Sequence, residues 1–133
     1  MKLFILIAAS VFSFSNSSNA QGKFKPSKDM VSIIPFMSEM TVKVGQKLYY
    51  GGHVHTSVGN QVSVASEDNS VLALEEKIFE YDDLKKSEMS GGDAATRYYI
   101  YNATSVGVSD VLIQEYFRGE LKHSYTVRIN VIE

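Results

Sequence analysis

One stretch, residues 98–116, limits what this chain can fold into more than any other. Tyr98-Tyr99-Ile100-Tyr101-Asn102-Ala103 is aromatic and β-branched, with almost no helical character. Gly107 follows at the point where a reversal needs a residue tolerant of positive φ. Val108 to Tyr116 then runs on as a second apolar strand. The two need not form a hairpin, because consecutive strands of a sandwich often lie in opposite sheets.

The sequence on either side has the same character. Met30-Val31-Ser32-Ile33-Ile34 is a candidate edge strand closed by Pro35. Residues 39–44 alternate with period two and are expected to set Met40, Val42 and Val44 on one face. Gly45-Gln46 reads as a turn, Lys47 to Tyr50 as a strand, Gly51-Gly52 as its loosened end, and residues 53–60 as a polar loop. Residues 61–66 alternate again, Glu67 to Ser70 is a turn by composition, and residues 71–79 read mostly as strand. Leu74 to Lys77 could pass for one helical turn, and Asp82 to Lys86 for a short one. Ser90-Gly91-Gly92-Asp93 reads as a flexible loop, and the last strand points Tyr125, Val127, Ile129 and Val131 inward. Seven or eight short strands at this spacing predict an all-β, antiparallel sandwich of immunoglobulin type.

The first twenty residues read differently. Lys2 precedes the apolar run from Leu3 to Ala9, which continues through Val11 and Phe12 to a polar stretch with Ser18 and Ala20. This is the pattern of a secretory signal, too short and wrongly flanked for a membrane anchor. Residues 1–20 are therefore expected to be a signal peptide, 21–36 a flexible leader with an edge strand, and 37–133 one domain. The expected destination is outside the cell, the periplasm or an endomembrane or lysosomal lumen. A chain with no cysteine has neither disulfides nor a thiolate nucleophile, so an apolar core must stabilise it, each buried large side chain contributing about 1.5–3 kcal/mol. Thirteen basic residues against fifteen acidic ones, interspersed, argue against nucleic acid and anionic membranes as partners.

Chemistry-bearing clusters are sparse. His53 and His55 form a His-x-His pair that His123 could join as metal ligands, but no carboxylate motif accompanies them, and exposed loop histidines explain them better. Ser57 near His55, or Ser124 beside His123, lacks the strand–turn–helix setting of an activated nucleophile. Glu75, Glu76, Glu80, Asp82 and Asp83 are interrupted by lysines and lack the spacing of a calcium loop, so they read as a solvated face. Neither enzyme, metal nor cofactor is expected. Asn102-Ala103-Thr104 is a glycosylation sequon whose asparagine alternation turns outward, relevant in a eukaryotic host.

The order of these features resembles the chagasin-like inhibitors of papain-type cysteine peptidases. Val44-Gly45-Gln46 is similar to that family's Val-Gly-Glu entry to its second strand. His55-Thr56-Ser57-Val58-Gly59 falls where the family carries Asn-Pro-Thr-Thr-Gly, keeping a hydroxyl at Ser57 and the glycine, and Val62 stands where a tryptophan is usual. Ser90-Gly91-Gly92 resembles the end of its glycine-rich loop. Tyr99-Ile100-Tyr101-Asn102-Ala103 with Gly107 is similar to its Phe-x-Phe-x-Ala…Gly strand and turn. Tyr116-Phe117-Arg118-Gly119-Glu120 falls on Tyr-x-Arg-Pro-Trp, without the proline and tryptophan.

The resemblance spans residues 39–132; its scaffold positions are well kept and its contact motifs degraded. It implies a monomeric, reversible, non-covalent inhibitor whose three loops wedge into a papain-like cleft. The implied contacts are His55, Thr56, Ser57, Val58 and Gly59, then Gly91 and Gly92, then Phe117, Arg118, Gly119 and Glu120. Residues 44–45, 66–72 and 103–111 also resemble bacterial immunoglobulin-like repeats, which would make the chain a binding or adhesion module. Gly91-Gly92 before the aromatic strand and the pairing of Tyr116 with Arg118 favour the inhibitor.

Overall fold

The computed structural model of the protein describes residues 23–133, so the expected signal peptide lies outside the described residues. Eight strands follow in chain order: β1 (Val31–Ser32), β2 (Glu39–Lys43), β3 (Lys47–His55), β4 (Asn60–Ser66), β5 (Leu72–Tyr81), β6 (Ala94–Ala103), β7 (Gly107–Phe117) and β8 (Glu120–Ile132). Among the described residues no helix is long and apolar enough to cross a membrane.

The strands form one ladder in the order β2-β8-β7-β4-β3-β6-β5, with β1 on the free side of β3. The ladder folds over at a single weak joint. Strands β3 and β4 share only the pair His55↔Asn60, whereas β3 pairs with β6 along its whole length from Lys47 to His55. On each side of that joint lies a sheet, β2-β8-β7-β4 and β1-β3-β6-β5. Their facing side chains, including Leu48, Val54, Tyr99 and Tyr101 from one and Val62, Ile113, Val127 and Ile129 from the other, make a single core. This is the immunoglobulin-like sandwich that the strand pattern predicted. Strands β6 and β7 lie in opposite sheets, so the central stretch is a crossover and not a hairpin.

Alternation sets most of this core. Tyr99, Tyr101 and Ala103 point inward and are buried, as are Val127, Ile129 and Val131. Asn102, half-buried between them, faces the outer side of β6, flanked by Lys47 and Ala73.

Several expectations need correction. Val44 is not in the core: β2 ends at Lys43, and Val44 begins a turn in which its amide donates to Ile132 O. Gly51-Gly52 does not end β3, which continues through both to His55. A Cβ on Gly52 would stand 2.7 Å from Val62 Cγ1, and one on Gly51 2.8 Å from the Tyr98 ring. The glycines mark close approach within a strand and not its end. The polar loop expected over 53–60 therefore shrinks to a turn at 56–59, and His53, His55 and His123 lie in strands. Leu74 to Lys77 is strand with a bulge between Leu74 and Glu76, not a helical turn. The short helical turn falls later than expected, as a 3-10 helix over Lys86–Glu88.

The segment read as a leader contributes contacts of its own. Val31 and Ser32 pair in parallel with Leu48 and Tyr49, and Ile33 is buried. Phe24 packs against Tyr49 and Tyr98 on the outer face of its sheet, its amide donating to the Glu80 carboxylate.

Candidate functional site

Strand register brings three connections to one pole. His55 at the end of β3 pairs with both Asn60 and Ala94, the first residues of β4 and β6. Asn60 pairs in turn with Phe117, the last residue of β7, and Tyr81 at the end of β5 pairs with Ala95. The β3–β4 turn, the β5–β6 connection and the β7–β8 turn thus share a rim. Every residue named as a candidate contact lies on it: His55 to Gly59 on the first, Gly91 and Gly92 on the second, Phe117 to Glu120 on the third.

The first turn is closed by its own backbone, with the amides of Val58 and Gly59 donating to His55 O at 3.0 and 2.9 Å. Gly59 has φ +107 and no room for a Cβ, which would meet Arg118 Cγ at 2.7 Å and Arg118 N at 3.1 Å. That close approach lets the Arg118 amide donate to Gly59 O at 2.8 Å, joining the first turn to the third. The third connection is a two-residue hairpin turn. Arg118 and Gly119 both have positive φ, +51 and +83, as a type I′ turn requires. Gly119 stands where the resembled family carries proline, and proline cannot adopt that φ.

The second connection is ordered by local bonds. Asp83 Oδ1 accepts from the amides of Lys85 and Lys86 at 3.0 and 3.3 Å, opening the 3-10 turn. A Cβ on Gly92 would overlap Lys86 O at 1.9 Å, so glycine is obligatory there. Asp93 then joins this connection to the first turn. Its carboxylate accepts from the Ser57 amide at 3.0 Å and from the Ser57 hydroxyl at 2.5 Å, with His55 Nε2 3.3 Å away. His55 Nε2 also lies 3.0 Å from Gly91 O. Both neighbours can only accept, so Nε2 carries the proton and donates. The Ser57 hydroxyl bond, aided by the nearby His55, holds the Asp93 carboxyl below its usual 3.8.

The rim is therefore a bonded unit offering both polar and apolar groups. Val58, Leu84, Met89 and Phe117 are exposed on it, and the Arg118 guanidinium lies 5.2 Å from the centre of the Phe117 ring. Asp93, Leu84 and Met89 were not singled out from the sequence. The acid following Gly91-Gly92 was the available signal for Asp93. Nothing in the charged stretch around Leu84 and Met89 distinguished those two from core residues.

Among the described residues no group of three His, Cys, Asp or Glu side chains is placed to hold a metal ion. The His123 ring stacks on Tyr125, with Nδ1 3.1 Å from Glu115. The Ser57 hydroxyl donates its hydrogen bond to Asp93 Oδ1.

No family model and no curated protein matches the sequence. Solved structures share its fold, among them these two. The cysteine protease inhibitor EhICP2 from Entamoeba histolytica superimposes with a TM-score of 0.60 at 12% identity, over 77% of this chain and 94% of that one. Amebosin superimposes with a TM-score of 0.53 at 15% identity, over 77% of this chain and 96% of that one. The chain thus shares the fold of these two proteins, a scaffold that agrees with the resemblance read from the sequence.

Proposed function

We propose that this protein is a secreted, monomeric inhibitor of papain-like cysteine peptidases. It would act reversibly and without covalent chemistry, by inserting the rim into the active-site cleft. The observation that carries this reading is the register that gathers the three turns on one pole, where backbone and side-chain bonds join them. A surface already held in its bound shape loses less conformational entropy on association. In this reading the first turn, centred on Ser57 and Val58, approaches the catalytic cysteine, with the other two turns on the cleft walls. Val58, Leu84, Met89 and Phe117 would supply apolar anchors in place of the missing tryptophan. A standard interface buries about 800 Å² per partner, within reach of three turns.

The test is a competitive assay of the purified mature protein against papain and a cathepsin-L-like peptidase. Inhibition that rises with substrate dilution, and that falls at least tenfold in Val58→Asp and in Arg118→Ala, supports the proposal. Absence of inhibition at micromolar protein against several such peptidases transfers the chain to the binding-module reading.

A further inference from the structure

A second surface lies on the open flank of the sandwich. Strand β5 ends the ladder and pairs only with β6, while β4 pairs with β7 along its length and with β3 only at Asn60. Residues 67–71 link the two free edges at the far pole, and the unpaired gap between the edges forms a slot. Tyr99 is buried on the inner face of β6, its hydroxyl donating to Val62 O of β4 at 3.3 Å. Toward the far pole the slot includes a recess of about 350 Å³ between Val64, Leu74 and Tyr101.

The residues that β5 and β6 turn toward the slot are chemically one-sided. The register places Lys77 opposite Tyr99 and Phe79 opposite Arg97, all on the face that carries Tyr99 inward. Lys77 Nζ lies 5.8 Å from the Tyr99 ring centre and Arg97 Cζ 5.3 Å from that of Phe79, and Phe79 meets Tyr81 edge to face. Leu74, Phe79 and Tyr81 are left 41%, 43% and 37% exposed, because the opposite sheet stops at β4 and does not cover them. The carboxylates of β5 are on the other side: Glu75 pairs with Lys47, Glu80 accepts from Phe24, and Glu76 lines the outer cavity beside Ile100. Among the described residues neither Lys77 nor Arg97 is in an ion pair.

We propose that this slot is a docking site for an extended acidic segment of a partner protein, which adds a strand to the free edge of β5. Such a segment takes its backbone bonds from β5. Its inward side chains alternate along the rows of β5: an apolar group beside Leu74, a carboxylate beside Lys77, an apolar group beside Phe79 and a second carboxylate in the next row, diagonal to Arg97. A lysine on a free edge can also serve only to discourage aggregation. What distinguishes a site is the separation of charge, with both cations over aromatic rings on one face and the acids on the other. The slot is a different surface from the rim, and its occupancy is measured without a peptidase, so the two readings stand or fall separately.

The probe is a fluorescein-labelled peptide, Glu-Thr-Val-Thr-Glu-Thr-Val-Thr, followed by fluorescence anisotropy with the mature protein. Saturable binding that weakens at least tenfold in Lys77→Glu, at least fivefold in Arg97→Gln, and on raising the salt supports the site. Both variants are checked for unchanged circular dichroism; Lys77 is exposed, so its substitution leaves the core untouched. Equal affinity for the peptide with lysine in place of glutamate, or for one with a methylated backbone, overturns the proposal. So does the lack of any binding at about 1 mM peptide, or competition by heparin fragments as effective as by the peptide itself.

Discussion

Arg118 is the one residue other than glycine, among those described, that holds a positive φ, at +51. For an L-amino acid with a long side chain that conformation costs roughly 1 kcal/mol, and asparagine tolerates it far better. A type I′ turn selects Asn-Gly for that reason, yet the turn here is Arg118-Gly119. The strain fits a residue retained for contact rather than for folding. Arg118→Asn is therefore expected to raise the free energy of unfolding in urea by about 0.5–1 kcal/mol and to weaken peptidase inhibition. If the variant is more stable and inhibits as well as the parent, Arg118 plays no part in the contact. Gly52 shows how a single residue was misread from sequence. Two consecutive glycines suggest the end of a strand, and only the neighbour that would collide with a Cβ, Val62 in the other sheet, reveals that they sit in the middle of one.

The elements themselves were largely legible, because inward and outward residues alternate through β4, β6 and β8 and each strand ends in turn-forming residues. The bonds between connections were not legible. Ser57 and Asp93 are far apart in sequence, and no local pattern marks them as partners; only the pairing of His55 with Ala94 sets them face to face. Their contact has a pH dependence whose sign follows from the Asp93 carboxyl being held below 3.8, chiefly by the Ser57 hydroxyl. A carboxyl lowered on folding contributes above its unfolded value and loses that contribution as pH falls through the lowered one. The Ser57–Asp93 contact should thus persist at the mildly acidic pH of a lysosome and fail only below about pH 4. Hydrogen exchange of the Ser57 amide, corrected for intrinsic rate, should show constant protection from neutral pH down to about 5 and loss below about 4. In Asp93→Ala that protection should be absent at every pH. Retention of protection in the variant would mean that the first turn is ordered without Asp93.

At the scale of the whole molecule, a cysteine-free sandwich depends on one continuous core, and its largest members are tyrosines. Tyr50 and Tyr101 are buried at 8% and 1% exposure. Burial pushes both phenols up to about 12, with Glu115, Tyr125 and Tyr99 adding repulsion at Tyr50, and Tyr99 at Tyr101. In the unfolded chain each would ionise at its ordinary 10.0. Their contribution to stability is therefore complete below pH 10 and is lost as pH rises through about 12. Shifts of that size correspond to a few kcal/mol for each group, and the whole fold is held by about 5–15 kcal/mol. Ionising both removes a large share of that margin, so the sandwich should weaken steeply within that alkaline window. The absence of tryptophan makes phenolate absorbance a clean probe of this. The phenols of Tyr50 and Tyr101 should ionise together with the loss of the β-sheet circular dichroism signal. Tyr50→Phe, which removes one such proton and keeps the ring, should move the alkaline midpoint upward if its core packing is preserved. Ionisation of both phenols near pH 10 with the sheet signal intact would mean that they are accessible to water, and the core would have to be built differently.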